Sequence, residues 1–277
     1  MDLLGSGLRP WDWLEDKKSN FLMSRVKPTR VLRKFAEDMQ KAASLESAGG
    51  ADTELTLFLT ASGIGAYGND KFKSTTLPAD LATEKHDTSN APGFLAQVSR
   101  EWEAAAGPST KGLRVIPLRL APVLSNPSTN PKASKGVLAS LLGPFQLGLG
   151  GVVGSGDQYF PWVSERDAVG GICHILANPS RIPDPWEGQS NSPINIISPG
   201  IITNAQFTKA LGSVLGRPTT IPMPALIAGM LFGEMGTEVL VGGAAGKCDL
   251  LRVVVGYEFK DTTIVKGLKN LISNPTT

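Results

Sequence analysis

Residues Glu54-Leu-Thr-Leu-Phe-Leu-Thr-Ala-Ser62 form a nearly unbroken apolar and β-branched run that leads directly into Gly63-Ile-Gly-Ala-Tyr-Gly68. A run this apolar is expected to be a strand buried on both faces, as in a parallel sheet covered by helices. It ends in a small hydroxyl residue and then in glycines. Ligands of open α/β sheets sit beyond the carboxyl ends of the strands. Ser62 therefore stands where chemistry would be done.

The chain has 277 residues, 41% of them apolar, enough for one large α/β domain with a smaller appended one. A net charge of +2 gives no electrostatic case for nucleic acid or a membrane surface as partner. Two cysteines, Cys173 and Cys248, and two histidines are too few for a zinc site, so no metal is expected. No apolar run approaches the roughly 20 residues needed to cross a bilayer. Met1-Asp-Leu-Leu-Gly-Ser-Gly7 lacks the basic and apolar regions of a signal peptide, and an intracellular, cytoplasmic setting is expected.

Met1–Leu4 resembles the tail of a strand. Trp11–Gln40 reads as a long amphipathic helix with Phe21, Leu22, Val26, Leu32 and Phe35 on its apolar side and Pro28 as a bend or break. Ala42–Asp52 reads as a loop and Asn69–Pro92 as a polar surface loop. A helix is predicted over Gly93–Ala106 and a strand over Leu113–Leu120, with Pro117 awkward inside it. A short helix at Gly136–Phe145, a glycine-rich turn at Gly148–Gly156, a helix at Asp167–Ala177 and a strand at Pro193–Ile197 follow. Thr203 with Gln206 three residues on matches a capping box, opening a helix to about Leu215. A short strand is expected at Thr219–Pro222, and helices from Pro224 on, broken at Gly242-Gly243 and Gly256. Alternating strands and helices over residues 1–200 mean a parallel α/β domain; residues 201–277 read as a mostly helical cap.

Several blocks carry a resemblance over essentially the whole chain: Ser24-Arg25-Val26, Ser62–Gly68, Trp102-Glu-Ala-Ala-Ala106, Leu118-Arg119, Pro144–Gly151, Gly154-Ser-Gly156, Gln158, Phe160-Pro-Trp162 and Gly216-Arg-Pro218. They are similar to the atypical short-chain dehydrogenase/reductase proteins known as epimerase-family proteins, within the NAD-dependent epimerase/dehydratase superfamily. The resemblance implies a doubly wound, Rossmann-like parallel sheet and an NADP or NAD cofactor. It implies an oxidoreductase or epimerase acting on a small carbonyl or alcohol, with a non-catalytic, cofactor-sensing or interaction protein as the alternative.

The resemblance also locates departures. Family members open with a strand, a Gly-x-x-Gly-x-x-Gly turn and a helix that receive the pyrophosphate. No such strand–turn–helix is present, and Gly148–Gly156 lacks that context. Residue 1 aligns with the family's fourth strand, so an N-terminally truncated sheet lacking three strands is expected. Met1–Gly5 would then be an edge open to a partner or a second copy, and cofactor binding would be impaired. The family's usual tyrosine and lysine positions fall on Phe94 and Val98, neither of which can move a proton.

Ser62 and Tyr67 are the hydroxyls left as catalytic candidates. Ser62 either polarises a substrate carbonyl or bonds local backbone; Tyr67 either exchanges a proton or shapes the pocket. The resemblance places the cofactor near Leu3, Leu4, Gly5, Arg25 and Leu124, with Gln158 and Trp162 on the substrate side. Asp167 reads as a helix N-terminal carboxylate, and Cys173 and His174 as core residues on an apolar helix face.

Overall fold

A computed structural model describes residues 15–46, 56–68, 81–126, 136–220, 222 and 245–273. Met1–Gly5, with the expected sheet edge, and the expected helices from Pro224 to Gly243 lie outside the described residues. The first element is a single helix, α1 (Glu15–Glu46), that takes in Pro28 and five residues expected to be loop, Ala42–Glu46. Pro28 withholds the N–H that the Ser24 carbonyl would accept, yet the helix continues past it.

The buried side of α1 differs from the one its apolar residues suggest. Phe21 and Val26 are buried as expected, but Leu32 and Phe35 are 39% and 62% exposed. Thr29, Arg33 and Ala36 continue the buried stripe instead. The two polar members are satisfied by long-range partners. Trp102 Nε1 donates to Thr29 Oγ1 at 2.9 Å, and Arg33 Nη1 donates to the carbonyls of Ala106 and Pro108 at 3.0 and 2.7 Å. Hydrogen bonding lets them occupy positions that a hydropathy pattern assigns to apolar residues.

The predicted strand is β1 (Thr56–Gly63), followed by a 3₁₀ turn at Ile64–Tyr67. Helix α2 (Phe94–Ala106) packs against α1 and β1 and leads to β2 (Leu113–Leu120). A short β3 (Val123–Leu124), α3 (Val137–Gln146), β4 (Val163–Ser164), α4 (Glu165–Ala177) and β5 (Ile194–Ile196) follow. Beyond them come α5 (Asn204–Leu215), a π-helical turn at Leu250–Val254 and α6 (Ile264–Ser273). The short strand expected at Thr219–Pro222 does not form at 219, 220 or 222.

Strands β1, β2 and β5 form a parallel sheet in the order β1-β2-β5, and β3 pairs with β4 in a second parallel pair. Pro117 is tolerated because β5 starts pairing with β2 one residue later, at Leu118. Contrary to the expectation of full burial, Thr56–Leu59 of β1 are half-buried, because β2 is the partner strand of β1 among the described residues.

Ile116 and Leu118 of β2 join Ile175 of α4, Ile194 and Ile196 of β5 and Leu251 in one apolar core. Alternate β2 residues face α2 on the other side of the sheet. A second core joins Leu124, Leu138, Phe145, Phe160 and Trp162 with Phe207 and Leu211 of α5 and Leu268 of α6. The α5 capping box forms as predicted: Gln206 N donates to Thr203 Oγ1 at 3.3 Å, and Thr203 N donates to Gln206 Oε1 at 2.9 Å. The helix ends on Gly216, whose φ of 63° is the left-handed conformation that glycine adopts without strain.

Candidate functional site

Parallel pairing sets Ser62 of β1 opposite Arg119 of β2, and Arg119 opposite Asn195 of β5. The three residues form one row across the sheet near the carboxyl ends of its strands. Tyr67, on the turn after β1, folds back over this row. All four are buried, at 3%, 4%, 0% and 1% exposure for Ser62, Arg119, Asn195 and Tyr67.

Hydrogen bonds join the row into one network. Ser62 Oγ donates to Glu103 Oε1 of α2 at 2.6 Å. Arg119 grips the same carboxylate with two parallel bonds, Nε to Oε1 and Nη2 to Oε2, both 2.9 Å. Its Nη1 donates to Tyr67 Oη at 3.1 Å. The Tyr67 hydroxyl in turn donates to Asn195 Oδ1 at 2.9 Å, and Asn195 Nδ2 donates to the Lys247 carbonyl at 2.8 Å. Asn195 N donates to Glu84 Oε1 at 3.2 Å.

Burial raises the Tyr67 pKa to about 12 despite the opposing charge of Arg119. The hydroxyl is therefore protonated at neutral pH. Burial works against the Arg119 charge, but the bonds to Glu103 and the nearby Tyr67 hold its pKa above the ordinary arginine value. Burial also lifts Glu84, to about 7, although backbone N–H groups of Asn195 and Leu250 hold its charged form.

Glu84 shows that the expected polar surface loop is partly interior. Leu81, Ala82 and Glu84 are buried where the segment bridges to Gly246, with Lys247 N donating to the Ala82 carbonyl at 2.8 Å. An open cavity of about 500 Å³ lies above Tyr67, lined also by Lys85, His86, Asp87, Asn90 and Ala91.

The other predicted residues fall elsewhere. Arg25 lies along the α1–α2 contact, its guanidinium 3.5 Å from the Phe21 ring centroid and 5.5 Å from that of Trp102. Its Nη1 donates to the Phe21 carbonyl and to Ser24 Oγ, and it takes part in no ion pair found among the described residues. Burial lowers its pKa to about 10, which leaves it charged at neutral pH. Leu124 packs in the second apolar core. Gln158 Nε2 donates to the Val153 carbonyl at 3.0 Å, and Trp162 Nε1 to the Gly200 carbonyl at 3.1 Å. Trp162 lines a crevice of only about 10 Å³. Val98 is buried within α2, and the Phe94 ring lies 6.0 Å from that of Phe21. Leu3, Leu4 and Gly5 lie outside the described residues.

Asp167 is a helix N-terminal carboxylate, as expected, but also a buried junction. It accepts Tyr257 Oη at 3.0 Å, Lys260 N at 2.8 Å and Asp261 N at 2.8 Å. The expected core position of Cys173 is corrected: the thiol is exposed, because α4 turns Ile175 inward and Cys173 outward. His174 is half-buried, 3.1 Å from the Val255 carbonyl through Nε2.

Two glycine patterns imitate a pyrophosphate turn without acting as one. Gly148, Gly151 and Gly154 follow α3 and run into irregular backbone. Gly63, Gly65 and Gly68 follow a strand, but the helix they open is a four-residue 3₁₀ turn. A Cβ on Gly65 would meet Leu95 Cβ at 2.9 Å, so this glycine serves the close approach of the turn to α2.

No family model matches the chain. It is 31% identical over 277 residues to an epimerase family protein of Mycobacterium bovis, covering 99% of this chain and 78% of that one. It belongs to the epimerase family proteins. The family member YfhF of Bacillus subtilis is 25% identical over 267 residues, covering 96% of this chain and 75% of its own. The structure of human epimerase family protein SDR39U1, solved with NADPH, matches with a TM-score of 0.74 and 25% identity over 97% of this chain and 79% of that one. The fold is thus the parallel, Rossmann-like α/β fold of this family. The dTDP-glucose 4,6-dehydratase DesIV of Streptomyces venezuelae, solved with NAD, shares that fold at a TM-score of 0.60 and 17% identity.

Proposed function

We propose that this family member binds NADP or NAD across the carboxyl ends of β1 and β2 and acts as an oxidoreductase or epimerase on a small carbonyl or alcohol. The observation that carries the reading is the buried row Ser62–Arg119–Asn195 with the Tyr67 hydroxyl held over it. Arg25 fits the cofactor: a partly buried cation without a carboxylate partner in the ion pairs found is suited to a phosphate or ribose oxygen. On the family resemblance alone, Leu124 is kept as a proposed cofactor-side residue and Gln158 and Trp162 as proposed substrate-side residues. When bound, the nicotinamide would give or take a hydride.

The residues suggest a direction for proton movement. Tyr67 holds its proton at neutral pH, so it is fitted to donate rather than to abstract. Arg119, bonded to the same oxygen, would steady the charge left behind. Ser62 would have to turn its hydroxyl from Glu103 to the substrate oxygen, leaving Glu103 with its two bonds from Arg119.

A second reading, cofactor sensing without turnover, is favoured by Phe94 and Val98 at the family's acid/base positions. Titration with NADPH and NADH, followed by tryptophan fluorescence, tests both. Saturable quenching is expected, weakened about tenfold in Arg25→Ala by loss of one charge-assisted contact. Absence of quenching at millimolar nucleotide would end both readings. Binding without oxidation of NADPH across a panel of small aldehydes and ketones would select the second.

A further inference from the structure

The geometry points to the cavity above Tyr67 as a binding subsite for a small molecule bearing an anionic oxygen group, a carboxylate or a phosphate, gripped by Lys85 and His86. The assignment depends on the reading above only for which end of the bound molecule would react.

Donors and acceptors around this cavity are unequally committed. Asp87 on its wall uses both carboxylate oxygens internally: Oδ1 accepts Ser89 N and Oδ2 accepts Ser89 Oγ, each at 2.9 Å. Those bonds, the backbone one foremost, hold Asp87 below the usual carboxylate range. Glu84 is turned inward to Asn195 N, and Glu103 is held by Arg119. The cationic side is less spoken for. Lys85 takes part in no ion pair found among the described residues, and its Nζ lies 5.7 Å from the Trp186 ring centroid. The His86 ring stands edge-on to Tyr67 with centroids 6.1 Å apart, so it borders the cavity floor. Arg100 spends one guanidinium nitrogen on the Ala91 carbonyl, at 2.7 Å, which turns that acceptor away from an incoming anion. A volume of about 500 Å³ admits a small metabolite and is at the lower end of the range for ligand pockets. An anionic group between Lys85 and His86 would leave the remainder of such a molecule over Tyr67.

The full chain carries only two histidines, so their ring signals in an NMR spectrum are assigned by one substitution, His86→Gln. Inorganic phosphate and malonate are titrated separately, at fixed pH and constant ionic strength, without nucleotide. Both are expected to move the His86 signals saturably and leave those of His174 in place. The probe that saturates at lower concentration distinguishes phosphate from carboxylate. Lys85→Gln is expected to weaken saturation about tenfold, the worth of one charge-assisted hydrogen bond. Asp87→Asn is expected to tighten it, by removing a like charge while keeping an oxygen for Ser89. Linear, unsaturating shifts with both probes, or equal saturation in Lys85→Gln, would overturn the assignment. Because no nucleotide is present, failure of cofactor binding leaves this result standing.

Discussion

Glu84 is the residue whose charge is least comfortable. Its carboxyl is buried and takes part in no ion pair found among the described residues, and its pKa is raised to about 7. Its unfolded value lies near the usual glutamate range, about 4.3. Between these values the folded chain binds more protons than the unfolded chain, so stability falls as pH rises from about 4.5 to about 7. The full loss is of order 3 kcal/mol. Glu84→Gln keeps an acceptor for Asn195 N without the charge. Urea denaturation from pH 5 to pH 8 should show a decline in the native chain that is largely absent in Glu84→Gln. Equal slopes would refute the charge argument. Ser62 and Tyr67 were legible because hydroxyls at the end of an apolar strand are a local pattern. Arg119 and Glu103 appeared in the sequence only as parts of matching blocks, and Asn195 and Glu84 in no role at all. What unites them is long-range hydrogen bonding among strands, helix and loop, and the Tyr67–Asn195 bond joins residues 128 positions apart. No spacing along the chain encodes it.

Among the elements, the strands and the capped helix were readable because their signals are local: β2 matches its predicted span, and Thr203 with Gln206 starts α5 as a capping box should. Helix α1 was readable as a helix but not in its orientation. Its apolar residues occupy two faces, and the choice between them is made by Trp102 and by the carbonyls of Ala106 and Pro108, which bond Thr29 and Arg33. The two faces should respond differently to truncation. Phe21→Ala, within the contact to Phe94 and Arg25, should cost about 3 kcal/mol. Phe35→Ala, at 62% exposure, should change stability by less than about 0.5 kcal/mol. Chemical denaturation of the two variants makes the comparison directly; equal costs would refute the difference in burial between the two faces, and a larger cost for Phe35→Ala would mean that α1 faces the other way.

At the scale of the whole molecule, Asp167 ties the start of α4 to the segment that leads into α6. A carboxylate there receives three donors from residues 257–261, and Ser164 Oγ lies within 3.3 Å as well. Tyr257 is correspondingly raised above its ordinary pKa, by burial first and then by Asp167. Asp167→Asn turns an amide N–H₂ toward groups that themselves donate, an unpaired arrangement that should cost about 3 kcal/mol. The loss should loosen residues 245–261 ahead of the sheet. Cys248 lies in that stretch, buried, with its thiol pushed up to about 12 by that burial, whereas Cys173 is exposed. In the native chain a thiol reagent should modify Cys173 at once and Cys248 slowly. Asp167→Asn should quicken the second step and leave the first unchanged; an unaltered second step would deny Asp167 its role as a clasp.

The two sulfurs thereby make the chain its own stopwatch. One starts the count on mixing, the other stops it when the interior parts, and a single sample reads the interval without any added label.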